Sequence, residues 1–239
     1  MSESSAAPGL YTQVEPLTQA RHQRLGFVGD GSYAFARSLV SVPASLSEMV
    51  LLQRHMPLVF AGEDRPVPIA VMGLEAAQGG LFIDAAGRWM PGISVPAFLR
   101  RYPFIAIPKP NGKELVLAVD LASDLVADDA PHPLFERGQP SDRAQAAFAL
   151  ATRLHHDFDA AREVGAALAE ADLLVPQSAE LTLADGRKIG LRNFRVVDEE
   201  RLAALPDAVF LEWRRRGWLP AIHAHLMSQA AWTELARLA

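Results

Sequence analysis

The stretch GRWMPGISVPAFLRRYPFIAIP, residues 87–108, predicts a short helix that leads into a β-hairpin. Ser94 can cap the helix, and Pro96 fits its first turn, where a missing N–H costs nothing. Pro103 then ends the helix. Apolar residues 104–107 form the first strand, and the turn sequence KPNG leads to a second strand at residues 115–119.

The large side chains of this stretch have two interpretations. In the structural one, the aromatic rings belong to the core and the arginines lie on the surface with their stems packed. In the functional one, they line a pocket or an interface, because aromatic residues and arginine are enriched at binding hot spots. The candidate binding residues here are Trp89, Arg100, Arg101, Tyr102 and Phe104.

The rest of the chain predicts an α+β fold. Apolar runs at residues 57–61, 67–72 and 80–84 indicate strands of one antiparallel sheet, and together with the hairpin they make the first half β-rich. An apolar spacing of three or four over residues 141–171 predicts one long helix with a buried face. We therefore expect a β-rich N-terminal half with antiparallel hairpins, packed on a mainly helical C-terminal half.

Local signals place several smaller elements. The sequence SLSE at residues 45–48 matches a capping box, and Asp198 can cap a later helix. An Asp-Gly pair at residues 185–186 predicts a second hairpin. Residues 33–36 are expected to form a short strand, and residues 220–238 a single final helix.

These signals suggest one compact unit. Residues 1–25 are polar and small, and we expect them to form a flexible N-terminal arm. The compact domain then spans residues 26–239, with a β-rich part at 26–122 and a mainly helical part at 141–239. A connection rich in Asp, Pro and Gly, residues 123–140, joins the two parts.

Composition excludes several classes of function. The 239 residues are 50% hydrophobic and 21% charged, as in ordinary globular proteins. The chain has no cysteine, which excludes disulfides, thiolate nucleophiles and cysteine-ligated metals. A net charge of −5 disfavours general nucleic-acid binding. No secretory signal or membrane-spanning apolar run is visible, so we expect a soluble cytoplasmic protein.

Histidines and acids invite a metal hypothesis. His155 and Asp157, two positions apart, together with a distant histidine superficially match the facial triad of non-haem iron enzymes. That motif needs its first two ligands on one side of a strand. Residues two apart on a helix point about 200 degrees from each other. The pattern therefore favours solvated or hydrogen-bonded helix histidines, and no cofactor is expected. The residues concerned are His155, His156, Asp157, Asp159, His223 and His225.

No nucleophilic-serine elbow, phosphate loop or dinucleotide fingerprint is present. A second basic and aromatic cluster, WRRRGW at residues 213–218, contributes the candidates Arg214, Arg215, Arg216 and Trp218. Its arginines can simply complement the end of a helix. If it lies on one face with Arg100 and Arg101, the two clusters form an arginine-rich groove for a carboxylate, a phosphate or an acidic peptide.

Three motifs together resemble the SapC family of bacterial proteins, over most of the chain from about residue 33 to its end. They are PLVF at residues 57–60, RRYPF at residues 100–104 after Trp89, and a tail that begins with VDE at 197–199 and ends with IxAHLxS at 222–228. The resemblance implies no established catalytic residue. It is also distinct from the identically named peptide-transport permease, which is a membrane protein.

The resemblance implies a genomic setting, mostly in Gram-negative bacteria. Similar genes neighbour those for TonB-dependent receptors, flavin-dependent tryptophan-halogenase-like proteins and cupin-like oxygenases, which implies a role in uptake or in modification of a peptide or protein. We expect a non-catalytic accessory protein that binds a partner protein or peptide. The alternatives are an oxygenase- or hydrolase-like enzyme that uses His225 with a carboxylate, and a structural protein of the surface layer.

Overall fold

A computed structural model describes residues 9–29, 31–75, 80–110, 112, 114–182 and 186–239, and it shows an α+β fold with several antiparallel sheets. The strands are β1 (Val14–Pro16), β2 (Leu25–Phe27), β3 (Ser41–Pro43), β4 (Leu58–Ala61), β5 (Val67–Val71), β6 (Phe104–Pro108), β7 (Leu115–Asp120), β8 (Val126–Asp128), β9 (His132–Pro133), β10 (Phe135–Glu136), β11 (Gln139–Pro140), β12 (Leu174–Thr182) and β13 (Lys188–Val197). The helices are α1 (Gln19–His22), α2 (Met49–Leu52), α3 (Ala97–Arg100), α4 (Asp142–Glu170), α5 (Glu199–Ala203), α6 (Asp207–Arg215), α7 (Leu219–Ser228) and α8 (Ala231–Leu238).

The largest sheet combines both halves of the chain. Its five strands lie in the order β12-β13-β4-β5-β3, and Arg195 of β13 pairs with Phe60 of β4. The predicted division into a β-rich first half and a mainly helical second half therefore holds only in part, because the two longest strands belong to the second half. Alternating polarity predicts a strand but does not say which distant strand it pairs with.

The hairpin predicted after residue 103 is confirmed, but it belongs to a separate sheet with the order β1-β7-β6. Of the strands predicted for one antiparallel sheet, those at residues 57–61 and 67–72 do pair with each other, as β4 and β5. Of the hairpin's turn, Asn111 lies outside the described residues, while Gly112 N–H donates to the Lys109 carbonyl over 2.8 Å. Residues 123–140, predicted as a connection, contain four short strands, of which β8 and β9 flank β2 in a third sheet.

The N-terminal segment is part of the fold from residue 9 onward. Strand β1 pairs with β7, and the buried carboxylate of Asp120 accepts hydrogen bonds from Thr12 N–H (3.0 Å) and Gln13 N–H (2.8 Å). The flexible arm expected over residues 1–25 is thus corrected for residues 9–25, and residues 1–8 lie outside the described part. Backbone pairing to a distant strand leaves no periodic signal in so short a segment.

Three local predictions need correction. Residues 34–36 form a 3₁₀ turn, and residues 80–84 are turns with one bridge, between Ile83 and Trp89. The final helix is divided into α7 and α8, because Ser228 Oγ (2.6 Å) and Gln229 Nε2 (3.0 Å) donate to the His225 carbonyl and compete with the helical ladder. The turn at 185–186 is described only from Gly186, since Asp185 lies outside the described residues.

The predicted Ser94 cap is also wrong. Pro96 occupies the N-cap of α3, so Ser94 lies two residues too early, and the first N–H of the helix, at Ala97, donates instead to Glu48 Oε2 over 2.6 Å. The capping box of Glu48 with Ser45 is confirmed. The buried carboxylate of Glu48 therefore accepts hydrogen bonds at two helix starts, the turn that begins after Ser45 and helix α3.

Helix α4 is the long helix that the apolar spacing predicts, and Ser141 caps it by accepting from Ala144 N–H at 3.3 Å. Its buried residues take part in the three hydrophobic clusters found among the described residues, with Ala151, Phe158 and Leu168 in different ones. It therefore connects the sheets. Among the described helices, none combines the length and the apolar character that crossing a bilayer requires.

Candidate functional site

A small cleft opens where α4 crosses the sheet edge beside α3. Helix α4 contributes His155, Phe158 and Arg162, which share one helix face because they lie three and four residues apart. The end of α3 contributes Phe98 and Arg101. The remaining wall is apolar and consists of Pro43, Ala44, Val67, Pro68 and Ala161. We call this site the Arg101 cleft.

Arg101 is a buried cation without a counter-ion. Arg101 is 9% exposed, and its Nε has no hydrogen-bond partner within the described part of the chain. No Asp or Glu of the described residues forms an ion pair with it. The guanidinium carbon lies 4.9 Å from the ring centre of Phe158 and 5.0 Å from that of Phe98. These cation–π contacts offset only part of the lost hydration.

Tyr11 forms a third aromatic contact, with its ring centre 5.8 Å from the Arg101 guanidinium carbon. Its hydroxyl donates to the Phe104 carbonyl at 3.0 Å. Burial raises the pKa of Tyr11 to about 12, although the Arg101 charge acts in the opposite direction. The phenol is therefore neutral at physiological pH and does not compensate the charge of Arg101.

The other candidates from the same stretch lie elsewhere. Arg100 is exposed, and its Nε donates to the Val95 carbonyl over 3.1 Å. Trp89 stacks on Phe82 and donates to the Ile93 carbonyl over 3.0 Å. Tyr102 is buried, and its hydroxyl lies 3.3 Å from the Asp120 carboxylate, to which it donates.

Phe104 is buried in the hydrophobic cluster beneath the central hairpin and contacts Phe27. Of the five candidates in residues 87–108, only Arg101 lines the cleft. The structure therefore separates two arginines that are adjacent in the sequence. One side chain turns inward over the rings and the other turns outward to solvent.

The arginines of residues 214–216 form a different site. Arg215 and Arg216 both form ion pairs with Glu212, at 2.7 Å and 2.9 Å, and these pairs lower the pKa of the Glu212 carboxyl. Arg216 also stacks on the buried Trp218, at 4.7 Å from the ring centre, whereas Arg214 is exposed. Glu212 of the same helix therefore pairs with two of the three arginines of this cluster.

The two arginine clusters do not form one groove. Arg101 lies over Phe158 of α4, while Arg216 reaches Glu163 at 3.8 Å in a separate cleft between α4 and α6. Residues five apart on a helix point about 140 degrees from each other. Helix α4 therefore lies between the clusters, and the condition for a shared arginine-rich groove is not met.

His225 is fully buried and holds three elements together. Its Nε2 accepts from Val197 N–H of β13 over 2.9 Å, which requires Nδ1 to carry the proton and donate to the Leu58 carbonyl of β4 over 2.7 Å. Burial lowers the pKa of His225 to about 4. Both ring nitrogens are used by the backbone, so this geometry does not support the proton-transfer role that the enzyme alternative gives to His225.

The remaining histidines and acids of the metal hypothesis are dispersed. His155 Nε2 lies 3.4 Å from Asp159 Oδ2, and Asp157 accepts from Ser47 N–H and Oγ. His223 is exposed on α7. Within the described residues, no three His, Asp or Glu side chains converge as a metal site requires.

A family model described as SapC matches residues 17–235. The chain belongs to the SapC family. No curated protein and no solved structure matches it. The matched residues of this SapC protein include every residue of the Arg101 cleft, so the cleft lies within the family's region of the chain.

Sequence reasoning missed several residues of this SapC protein. Arg162 carries no motif, and His155 drew attention only as a metal ligand. The helical spacing of positions 155, 158 and 162 does indicate that they share one helix face. Nothing in the neighbouring sequence, however, places that face beside Arg101. Glu48 was recognised only as part of a capping box, although it is buried and its pKa is raised by that burial.

Proposed function

We propose that this SapC protein is a non-catalytic binding protein that engages a partner protein or peptide through the Arg101 cleft. The observation that carries the proposal is the buried guanidinium of Arg101, which has no counter-ion among the residues that the structure describes. Desolvation of an ion costs several kcal/mol unless an opposite charge compensates it. A partner that brings a negative group to the cleft supplies that charge.

The size of the cleft supports a partner that inserts only one small group. Its volume is about 60 Å³, whereas pockets for drug-sized ligands or cofactors have about 300–1,000 Å³. A side chain or a chain end can enter it while the rest of the partner remains on the surface. An anchor of this kind, buried beside aromatic rings, is typical of binding hot spots.

The family resemblance suggests where the partner comes from. In this proposal it is a product of the neighbouring genes in a Gram-negative bacterium: a TonB-dependent receptor, a halogenase-like flavoprotein or a cupin-like oxygenase. The protein then assists nutrient uptake or the modification of a peptide or protein. Gene neighbourhood is an association and not a physical argument, so the experiment begins from the cell extract.

The test is affinity capture of the tagged protein from its native extract, followed by mass spectrometry. We compare the unchanged protein with Arg101→Leu, and use Arg215→Ala as the control because Arg215 lies outside the cleft and is 65% exposed at its side chain. A partner that is lost with Arg101→Leu and kept with Arg215→Ala is the expected result. Identical partners from all three proteins would contradict the proposal.

Stability distinguishes a binding arginine from a structural one. Desolvation of an unpaired buried charge destabilises the folded state, so an apolar side chain of similar volume at this position removes that cost. We therefore expect Arg101→Leu to unfold at the same temperature as the unchanged protein or higher. A large loss of stability would assign Arg101 to the architecture of the core instead.

A further inference from the structure

We infer that the group bound in the Arg101 cleft is a carboxylate carried on a short apolar stem. This inference rests on the proposed function and specifies its ligand. It follows from three properties of the cleft, which are its charge, the aromatic cover of the guanidinium and the apolar character of the remaining wall.

The first property is the balance of charge around Arg101. Asp159 of α4 is an acid beside the cleft, and its carboxylate contacts both Arg162 and, at 3.4 Å, His155. Asp157, two residues earlier, is held by the backbone and hydroxyl of Ser47, at 3.1 Å and 2.7 Å. Neither acid pairs with Arg101, so within the described residues its guanidinium keeps an uncompensated positive charge that favours an anion.

The second property is the aromatic cover of the guanidinium. The rings of Phe98 and Phe158 lie about equally close to it, with centres at 5.0 Å and 4.9 Å. This arrangement leaves the N–H groups in the guanidinium plane as its means of binding. A planar carboxylate matches that plane with two parallel hydrogen bonds. A phosphate can form the same pair, so the preference for the smaller carboxylate rests on the small volume of the cleft.

The third property is the apolar wall opposite the charge. Pro43, Pro68 and Ala161 offer no side-chain donor or acceptor, so they suit methylene or methyl groups next to the carboxylate. A volume of about 60 Å³ accommodates such a short stem but not a large ring system. Three sources share this chemistry: a glutamate side chain, the C-terminus of a chain and a free short carboxylic acid.

The test is an NMR titration of the full chain that follows the Arg101 Nε–Hε signal, assigned by its loss in Arg101→Leu. The probes are sodium propionate, the neutral isostere propionamide and methyl phosphate. We expect a saturable shift with propionate, none with propionamide and weaker binding of methyl phosphate. An equal response to propionamide, tighter binding of methyl phosphate, or no response to propionate would overturn the inference.

Variants connect the binding to the cleft. Arg101→Leu, monitored by backbone signals of α4, should weaken propionate binding at least about tenfold, the effect of one charge-assisted hydrogen bond. Arg101→Lys retains the charge but not the planar fork, and it serves if the leucine variant does not fold. Arg215→Ala should bind like the unchanged protein. Unchanged binding by the position-101 variants would place the carboxylate elsewhere and overturn the inference.

Two peptides identify the source of the carboxylate. Acetyl-Ala-Glu-Ala-amide presents only a side-chain carboxylate, and acetyl-Ala-Ala with a free end presents only a terminal one. Tighter binding of either peptide than of propionate supports the inference and names the source, whereas failure of both peptides and of propionate contradicts it. If no carboxylate binds but a captured partner still depends on Arg101, the inference fails and the proposed function stands. If carboxylates bind but no partner depends on Arg101, the proposed function fails.

Discussion

Gly165 of α4 lies against the carbonyl oxygen of Pro66, so closely that a β-carbon at position 165 would be 1.9 Å from that oxygen. The contact joins two backbones, neither of which can yield by a side-chain rotation. It therefore sets the distance between α4 and the start of β5. Residues on both sides of this contact, Arg162 and Val67, line the Arg101 cleft.

The first prediction is that Gly165→Ala destabilises the protein although alanine is the better helix former. Alanine gains about 1 kcal/mol in an exposed helix, but the overlap with Pro66 forces α4 away from the sheet. We expect a net loss of at least about 2 kcal/mol in the free energy of unfolding. Urea denaturation measures it, with Gly190→Ala as the control because nothing is closer than 4.0 Å to a β-carbon there. Equal stability of the two variants would show that the contact yields easily.

The second prediction concerns acid sensitivity through His225. Its pKa is about 4 in the folded protein and about 6.5 in an unfolded chain. Below pH 6.5 the unfolded chain therefore binds a proton that the folded protein does not. The stability due to His225 is complete above pH 6.5 and is lost as the pH falls through 4. The arithmetic of linkage gives a loss of about 3 kcal/mol.

Unfolding free energies measured between pH 7 and pH 4 test this prediction. His225→Gln has no titrating group at this position, so its stability should fall less steeply over the same interval, whatever its starting value. His223→Gln is the control, since His223 is exposed on the same helix. Parallel pH profiles for the unchanged protein and His225→Gln would remove His225 as the cause.

The third prediction concerns Glu48, whose carboxylate accepts from Ser45 N–H at 2.8 Å and from Ala97 N–H at 2.6 Å. In Glu48→Gln one of these donors faces an amide NH₂, which cannot accept. A buried N–H without an acceptor costs about 1–3 kcal/mol. Thermal unfolding should show this loss for Glu48→Gln and almost none for Glu136→Gln, which is exposed. A stable Glu48→Gln protein would mean that another acceptor reaches the start of α3.

The fourth prediction concerns Asp120, a fully buried carboxylate that holds the N-terminal segment by Thr12 and Gln13. In Asp120→Asn one carboxylate oxygen becomes a donor, so one of the two backbone N–H groups loses its acceptor. We expect amide hydrogen exchange at Thr12 and Gln13 to become at least about tenfold faster, which corresponds to about 1.4 kcal/mol. Asp64→Asn, at an exposed position, should leave both rates unchanged. Unaltered exchange in Asp120→Asn would assign the segment's order to β1 pairing alone.

Local chemistry explains which parts of the fold were predictable. The hairpin after Pro103, the long helix and the caps at Ser45 and Asp198 all follow from signals within a few residues, and all are present. The pairings of β1 with β7 and of β4 with β13, in contrast, join residues more than a hundred positions apart. Such pairing depends on which apolar surfaces meet in three dimensions, and the two-residue periodicity of a strand carries no record of it.

The candidate site, like the fold, could be predicted only as far as local sequence determines it. Composition singled out Arg101 together with Arg100, but only the packing of α3 against α4 decides which of the two turns inward. Its companions His155 and Arg162 lie more than fifty positions further along the chain. The absence of a counter-ion is likewise a property of the folded surroundings, since acids near in sequence or in space can be committed to other groups, as Asp159 is.

The sheet shared by both halves also has a consequence for the growing chain on the ribosome. Phe60 cannot pair until Arg195, 135 positions later, has been synthesised. At a synthesis rate of about 5–20 residues per second, this delay is on the order of ten seconds. During that time Leu58, Val59 and Phe60, buried in the finished protein, belong to an open strand edge that invites pairing with other chains. The edge of β4 that β13 covers in the finished protein therefore stays open to mispairing until the C-terminal hairpin emerges.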